Sequence, residues 1–125
     1  MSRKVRVLVV EDEVLIAYDL RLMLEDLGLT VVGVAKGGRE AIEVAGRERP
    51  EVIMMDVILA DEIDGVEAAA TILRSCNTAI IYVTASTDPQ TFDRIGASEH
   101  HALIRKPYDD ASLRRALAQA GVRVD

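Results

Sequence analysis

The sequence predicts an α/β fold in which helices cover both faces of a parallel β-sheet, because five short apolar runs alternate with segments of helical periodicity. The first and third runs are apolar throughout, as expected of strands that are buried on both faces. Polar residues stand where most of these runs end, which is where an open parallel sheet forms its binding sites. The predicted strands are Val5–Val10, Thr30–Ala35, Val52–Met55, Thr78–Val83 and Ala102–Ile104.

The segments between these runs carry the apolar spacing and the end signals of helices. The first, Val14–Leu27, is followed by Gly28, a typical C-terminal stop. Gly37-Gly38 lacks a surrounding G-x-G-x-x-G or P-loop pattern, so the start of a helix is favoured over a phosphate cradle. The later helices are expected from Gly37-Gly38 to before Pro50, from Gly65 to about Arg74, from Pro89 to Ile95 with Gly96 as its end, and from about Asp109 to Ala120.

Length and charge fit one acidic domain spanning residues 1–125, with a formal net charge of −6. Nonspecific nucleic-acid binding requires a basic surface and is not expected. Cys76 is the single cysteine and cannot form an internal disulfide. Met1–Lys4 lead into a strand too short for a signal peptide or a membrane span, so we expect a cytoplasmic protein with no membrane partner. About five residues follow the last predicted helix, so no output domain is expected.

Three carboxylates are predicted to meet at the carboxyl edge of the sheet. Glu11 and Asp12 follow the first strand and Asp56 follows the third, and these strands flank the crevice of this architecture. Adjacent strand residues point to opposite faces, so Glu11 and Asp12 share one pocket only if the chain bends there. Two carboxylates about 4 Å apart repel by roughly 4 kcal/mol at an effective dielectric of about 20, so three require a cation. Oxygen ligands favour a hard ion such as Mg²⁺.

The fourth and fifth strands end in groups that suit a phosphoryl oxygen. Thr84 offers a hydroxyl, Ala85 is small enough to leave its backbone N–H accessible, and Lys106 is a point-charge partner for phosphate. A phosphoryl group on Asp56 would replace one carboxylate charge with roughly two, and with Mg²⁺ and Lys106 present the site would stay near roughly −1. The edge therefore predicts a site that binds a divalent cation and can hold a phosphoryl group.

Four motifs, in this order and each at a strand end, resemble those of the receiver domain, the response-regulator module of two-component signalling. The resemblance covers essentially the whole chain, and the combination is highly specific. The motifs are Val9-Val10-Glu11-Asp12-Glu13, Met55-Asp56, Thr84-Ala85 and Lys106-Pro107-Tyr108.

The resemblance implies a flavodoxin-like sheet of strand order 2-1-3-4-5 and a phosphorylation site at Asp56. The phosphoryl donor would be a phosphohistidine of a sensor histidine kinase or a phosphotransfer protein. Asp12 and Asp56 would bind Mg²⁺ directly, together with the backbone carbonyl of Ile58, and Glu11 would act mostly through water. Catalysis would consist of positioning and charge neutralisation around a loose transition state.

The same resemblance assigns Lys106 to Asp56 first and then to the phosphoryl group, towards which Thr84 would move and to which the Ala85 N–H would donate. It also implies a cis peptide bond between Lys106 and Pro107. The protein would catalyse only its own phosphotransfer and slow self-dephosphorylation. It would signal by protein contact or serve as a phosphate relay or sink, as a monomer or as a weak homodimer through the face of the fourth helix, fifth strand and fifth helix.

One departure from the family pattern concerns the output side. Receivers usually carry Tyr or Phe three residues before the lysine, where this chain has Leu103. Tyr82, His100 or His101 could take over that role. Our hypothesis is that backbone rearrangement of Ser86–Ser98 carries the switch.

Other departures lie in the loop after the phosphoacceptor. Ala60 stands where receivers often carry Pro, and Leu59–Asp64 is one residue longer than the usual loop before Gly65. Ile58 and Ser86 occupy variable positions that flank the acceptor, and an apolar Ile58 is expected to slow hydrolysis.

Two other function classes stay open at this point. An aspartyl-phosphate phosphatase would typically carry a second Asp two residues after the nucleophile, where this chain has Ile58. A receiver-like scaffold that is not controlled by phosphate would not need Asp12, Asp56, Thr84 and Lys106 together. A purely structural interpretation of Glu11-Asp12-Glu13 is an acidic helix N-terminus, which the helix dipole favours.

Overall fold

The computed structural model describes residues 4–124, in which five strands alternate with five helices. The strands are β1 (Arg6–Val10), β2 (Thr30–Ala35), β3 (Val52–Asp56), β4 (Ala79–Thr84) and β5 (Ala102–Arg105). The helices are α1 (Val14–Asp26), α2 (Gly38–Glu48), α3 (Gly65–Leu73), α4 (Pro89–Ala97) and α5 (Asp110–Gln119). Each predicted element is present, with ends within one or two residues of those expected. Met1–Arg3, part of the N-terminal segment considered above, lie outside the described residues.

The sheet has the order β2-β1-β3-β4-β5 with all strands parallel, which confirms the predicted topology. The central strands β1 and β3 are buried almost throughout, as their uninterrupted apolar sequences predict. Alternate residues enter separate cores, so that Val9 and Met54 pack towards α1 and α5 while Leu8 and Ile53 pack towards α2 and α3. The sheet is thus packed on both faces by apolar clusters, and the polar groups lie at its carboxyl edge.

Two glycines near helix ends behave differently. Gly28 has a φ of 91° and follows the C-cap of α1, as predicted for a helix stop. The prediction that Gly96 ends α4 is wrong, because the helix continues to Ala97. Gly96 is not among the residues with positive φ, and a glycine terminates a helix when it takes that conformation. The end of α4 is instead held at Ser98, whose backbone N–H and hydroxyl both donate to the Ile95 carbonyl.

Helix α4 is the least anchored helix of the described chain. It buries one side chain, Ile95, whereas each of the other helices buries three. A helix with little buried apolar area is the element that moves at least free-energy cost. Between residues 4 and 124, no helix combines the length and apolarity needed to cross a bilayer.

Candidate functional site

The end of β1 delivers two adjacent carboxylates to one pocket. Glu11 extends the sheet by one residue, since its N–H donates to the Ala35 carbonyl at 2.9 Å. The chain bends at Asp12, and the Glu13 N–H donates back to Glu11 Oε2 at 3.1 Å. This bend meets the condition set by strand geometry, because it lets neighbouring side chains face the same side.

Asp56 is the last residue of β3 and pairs in register with Val83. The Ile58 N–H donates to Asp56 Oδ1 at 3.2 Å, so the first turn of the following loop folds over the carboxylate. The start of α3 lies directly on this backbone, because a Cβ atom at Gly65 would be 2.1 Å from the Asp56 carbonyl oxygen. The Gly65 N–H also donates to the Val57 carbonyl at 2.8 Å. The end of β3 is therefore fixed by contacts with both the following loop and the start of α3.

Glu11, Asp12 and Asp56 each offer a carboxylate oxygen, and these oxygens lie within 4.8 Å of one another. Glu11 is 3% exposed and Asp56 is 7% exposed, while Asp12 is the most accessible of the three. Lys106 Nζ lies between the two buried acids, 2.6 Å from Glu11 Oε1 and 3.1 Å from Asp56 Oδ2. The structure thus brings together four residues from three distant parts of the sequence.

The two buried acids respond differently to this environment. Burial and the charge of Glu11 raise the pKa of Asp56 to about 6, although Lys106 opposes the increase. Burial alone would raise the pKa of Glu11, but the Lys106 ammonium and the Glu13 N–H outweigh it and lower that pKa. Burial disfavours the charge of Lys106, and its contacts with Glu11 and Asp56 nevertheless raise its pKa. The Lys106 ammonium therefore interacts with both carboxylates but lies closer to Glu11 than to Asp56.

This donor set fits Mg²⁺. Three carboxylates carry three negative charges and Lys106 supplies one positive charge, so the cluster lacks positive charge. Carboxylate oxygens at one open rim are the hard ligands that Mg²⁺ prefers, and Asp12 is accessible from solvent. The backbone carbonyl of Ile58 stays a prediction as a ligand, since the structure links Ile58 to Asp56 through its N–H.

The residues expected to bind a phosphoryl group lie at the carboxyl ends of β4 and β5. Thr84 is buried, and its hydroxyl accepts a hydrogen bond from the Ser86 N–H at 3.1 Å. The Lys106 N–H donates to the Thr84 carbonyl at 2.8 Å, which ties the two strand ends together. Ala85 is exposed, and the peptide bond between Lys106 and Pro107 is cis, as expected. The roles of Thr84 and the Ala85 N–H stay predictions.

Two of the three residues proposed to replace the missing aromatic, Tyr82 and His100, contact Ser98 at the end of α4. Tyr82 is fully buried, and its hydroxyl forms a 3.2 Å hydrogen bond with Ser98. The His100 ring centroid is 5.4 Å from that of Tyr82, whereas His101 Nδ1 accepts a hydrogen bond from the Ile80 N–H. Leu103 is partly buried against the same core. Tyr82 and His100 therefore contact the segment that we expect to switch.

Sequence reasoning missed two residues in the loop after Asp56. Asp61 accepts hydrogen bonds from backbone N–H groups at the start of α2, and Asp64 caps α3 while both its oxygens bind the Arg94 guanidinium. The pattern Asp64-x-x-Glu67 is a capping box and could have been recognised. The partners on α2 and α4 carry no local signal, because they are 22–23 and 30 residues away.

Comparison with known proteins identifies the family that has this fold and this arrangement of motifs. A family model for the response regulator receiver domain matches residues 7–118. The chain belongs to this family. The phyllosphere-induced regulator PhyR of Methylorubrum extorquens is 36% identical over 115 residues, which are 91% of this chain and 42% of that protein. The transcriptional regulatory protein PdtaR of Mycobacterium tuberculosis is 35% identical over 115 residues, which are 92% of this chain and 56% of that protein.

Solved receiver domains have the same fold. The signal receiver domain of a modulated diguanylate cyclase from Desulfovibrio desulfuricans G20 has a TM-score of 0.88 and 38% identity, with 94% of each chain covered. The receiver domain of PhyR from Erythrobacter litoralis has a TM-score of 0.83 and 30% identity, covering 94% of this chain and 89% of that one. The chain spans about half the length of the curated relatives it matches, at 42% and 56%.

Proposed function

We propose that this receiver domain is a phosphorylation-controlled switch in which Asp56 accepts a phosphoryl group from a phosphohistidine. The donor is a sensor histidine kinase or a phosphotransfer protein, and the reaction depends on Mg²⁺. One observation carries this proposal: Asp56 ends a strand beside Glu11 and Asp12, with Lys106 Nζ at 3.1 Å.

In the proposed transfer, one carboxylate oxygen of Asp56 forms a bond to phosphorus while the phosphorus–nitrogen bond of the donor breaks. The electron pair of that bond stays on the imidazole nitrogen, so the donor histidine is released uncharged once its ring holds a single proton. When bound by Asp12 and Asp56, with Glu11 acting through water, Mg²⁺ would neutralise charge on the phosphoryl oxygens.

The residues of the chain itself supply the remaining neutralisation. Lys106 binds Asp56 before transfer and the phosphoryl group afterwards. The Thr84 hydroxyl leaves the Ser86 N–H and donates to a phosphoryl oxygen, next to the Ala85 N–H. Charge-assisted hydrogen bonds of this kind contribute about 1.5–3 kcal/mol each. Together, the bonds from Lys106, the Thr84 hydroxyl and the Ala85 N–H are comparable with the roughly 5.5 kcal/mol needed to reverse a two-state equilibrium from mostly off to mostly on.

An apolar surface beside the site supports docking of a protein donor. Among residues 4–124, the exposed large apolar side chains are four residues of α1 and Ile58, which is two residues after Asp56. Three of the α1 residues are spaced four apart and share one helix face. This α1 stripe consists of Val14, Leu15, Tyr18 and Leu22, which are 47–78% exposed.

Incubation with acetyl phosphate and Mg²⁺, followed by intact-mass measurement, tests this function and its alternatives. A switch gains one phosphoryl group, and Asp56→Asn abolishes the gain. An aspartyl-phosphate phosphatase instead hydrolyses the substrate continuously, and a scaffold not controlled by phosphate does neither. Phosphotransfer profiling against candidate kinases then identifies the donor.

The α1 stripe has its own test. Leu15→Ser should slow transfer from a cognate kinase while leaving the acetyl phosphate rate unchanged, because the small molecule needs no docking surface. Equal slowing with both donors would show that Leu15 affects the site and not the docking. Sedimentation of the phosphorylated and unphosphorylated forms tests output by a weak homodimer through α4, β5 and α5. Output by contact with another protein, or as a phosphate relay, predicts no change in sedimentation of the isolated domain.

A further inference from the structure

The loop formed by residues 57–64, which follows the acceptor strand, is fastened to the start of α2 by one carboxylate. Asp61 Oδ1 accepts from the Gly38 N–H at 2.9 Å, and Oδ2 accepts from the Arg39 N–H at 3.0 Å. The Ile63 N–H also donates to Oδ1, at 3.2 Å. Hydrogen bonds from the Arg39 and Gly38 N–H groups hold the pKa of Asp61 below its usual range. Asp61 therefore occupies the N–H groups that a helix start otherwise leaves without intrahelical partners.

The glycine pair at the start of α2 makes this approach possible. A Cβ atom at Gly37 would lie 2.7 Å from Asp61 Oδ2, and one at Gly38 would lie 2.3 Å from the Ile63 carbonyl oxygen. Real Cβ atoms do not approach backbone oxygens this closely, so a side chain at Gly38 would push the loop away from α2. The role of Gly37-Gly38 is thus close packing between α2 and the loop as well as the start of a helix.

This fastening links the two chain segments that flank the acidic cluster. On one side, β2 ends at Ala35, whose carbonyl accepts from the Glu11 N–H at 2.9 Å, and α2 begins three residues later. On the other side, the loop begins with Ile58, whose N–H donates to Asp56 Oδ1. Asp61 is the carboxylate that joins α2 to this loop through backbone hydrogen bonds, and it lies five residues after Asp56.

We infer that Asp61 is a positioning residue for the acceptor site, which fastens the loop to α2 and thereby restricts the movement of Asp56 and the Ile58 backbone, so that both are held ready for the cation. This inference rests on the proposed function, because it assigns Asp61 a role in that same site. Asp61 acts through the loop backbone and does not contact the phosphoryl group. Partners that orient metal ligands typically contribute 10- to 100-fold to metal affinity or activity.

The neighbouring acid gives a matched control. Glu62 forms an ion pair with the Arg39 side chain, and both of these side chains are more than 60% exposed. Exposed pairs of this kind contribute little, and this one does not hold the loop backbone. Glu62→Gln therefore removes one charge from the same loop while the hydrogen bonds of Asp61 stay in place.

The experiment titrates Mg²⁺ alone into ¹⁵N-labelled protein and follows amide shifts at the site, for wild type, Asp61→Ala, Asp61→Asn and Glu62→Gln. We expect Asp61→Ala to raise the Kd for Mg²⁺ about 10-fold and to slow phosphorylation by acetyl phosphate by a similar factor. Asp61→Asn, which keeps one oxygen acceptor, should lie between Asp61→Ala and wild type. Glu62→Gln should stay within about two-fold of wild type. Gly38→Ala, which disturbs the same contact from α2, should act in the same direction as Asp61→Ala.

A stability control separates positioning from a general loss of structure. Ile81→Val destabilises the core on the other face of the sheet by about 0.5–1.5 kcal/mol, in an apolar cluster that contains none of the described loop residues. If Asp61→Asn and Asp61→Ala keep the wild-type Mg²⁺ affinity, or if Ile81→Val weakens it equally, the inference is wrong. If wild type itself neither binds Mg²⁺ nor gains a phosphoryl group, the proposed function fails and the inference fails with it.

Discussion

Gly65 and Asp56 are in such close backbone contact that a single added carbon would collide with the acceptor strand. The Cβ of an alanine at position 65 would lie 2.1 Å from the Asp56 carbonyl oxygen and 2.9 Å from Val57 Cα. Both obstacles are backbone atoms, which cannot move aside as a flexible side chain would. The helix that follows the acceptor loop is therefore seated directly on the residue that we propose to be phosphorylated.

Gly65→Ala is expected to destabilise the domain by about 1–3 kcal/mol, the usual cost of overpacking a filled site. Gly46→Ala is the matched control, because Gly46 lies within α2 and a Cβ there meets nothing within 4 Å. That control should stabilise the protein by about 0.5–1 kcal/mol through helix propensity. Urea unfolding of both variants measures the difference. A Gly65→Ala variant as stable as Gly46→Ala would mean that the contact at Asp56 relaxes without cost.

Asp56→Asn is expected to stabilise the Mg²⁺-free domain by about 1–2 kcal/mol, since it removes one of two buried carboxylates that share Lys106. Mg²⁺ should reverse this order. A ligand present at 100 times its Kd stabilises the folded state by about 2.7 kcal/mol, and the variant lacks one of the proposed ligands.

Thermal unfolding of wild type and Asp56→Asn, with and without Mg²⁺, checks this reversal in the order of stability. Asp93→Asn, which removes an exposed charge on α4, controls for net charge. Equal stabilisation of wild type and Asp56→Asn by Mg²⁺ would argue against a cation at this cluster.

The sequence predicted the sheet and the acidic cluster because these depend on local patterns and on the geometry of parallel strands. The strand order followed from the resemblance to receiver domains. Apolar runs locate β1 and β3, and their carboxyl ends necessarily share one edge. The fastening contacts of Asp61 and Asp64 escaped prediction for the opposite reason. Each joins residues more than 20 positions apart through loop conformations that no periodicity records. The end of α4 was misjudged because a glycine can be helical when its neighbours provide the cap.

The ion pair between Asp64 and Arg94 should make stability depend on pH in a predictable direction. Burial alone would raise the pKa of Asp64, but the Arg94 guanidinium and the Glu67 N–H outweigh it and lower that pKa. A lowered folded pKa stabilises the protein above the pKa of the unfolded state, about 3.9, and this stabilisation is lost as the pH falls through the folded pKa.

Arg94→Met should therefore cost about 1 kcal/mol at about pH 7, because the pair is bidentate but half-exposed on the arginine side. The difference from wild type should stay constant down to about pH 5 and shrink below about pH 4. Urea unfolding across this range measures it. Arg114→Met, which breaks an exposed pair with Asp110 on α5, should cost only about 0.3–0.5 kcal/mol. A difference for Arg94→Met that grows on acidification would contradict the assignment.

Ile58 is expected to set the lifetime of the phosphorylated state. Its side chain is 64% exposed and its N–H is bound to Asp56 Oδ1, so an apolar group stands at the mouth of the acceptor site. Ile58→Asn should hasten loss of the phosphoryl group, because an amide can hold water where the apolar side chain excludes it. Intact mass followed over time after removal of acetyl phosphate measures the rate, with Leu15→Asn as a control for an exposed apolar residue on α1. An unchanged lifetime in Ile58→Asn would sink this prediction.

Phosphorylation is expected to move the segment Ser86–Ser98 rather than a single aromatic side chain. The Thr84 hydroxyl holds the Ser86 N–H, and it cannot keep this arrangement if it turns to bind a phosphoryl oxygen. The resulting displacement of Ser86 is transmitted to α4, which is anchored by Ile95 in the core and by contacts with Asp64 and Tyr82. Few buried contacts oppose a shift of such a helix, so a local change at Thr84 is sufficient to bias it.

Amide shifts measured before and after phosphorylation provide the test, with the largest changes expected between Ser86 and Ser98. Tyr82→Phe removes the hydroxyl that binds Ser98 and should enlarge these changes, since one of the anchors of α4 is lost. Tyr18→Phe, which removes an exposed hydroxyl from α1, should leave them unaltered. If the shifts within Ser86–Ser98 do not change while Asp56 is fully phosphorylated, the switch lies elsewhere. Leu103, at the position of the usual aromatic residue, would then be the next residue to examine, because its backbone pairs with Tyr82 across β4 and β5.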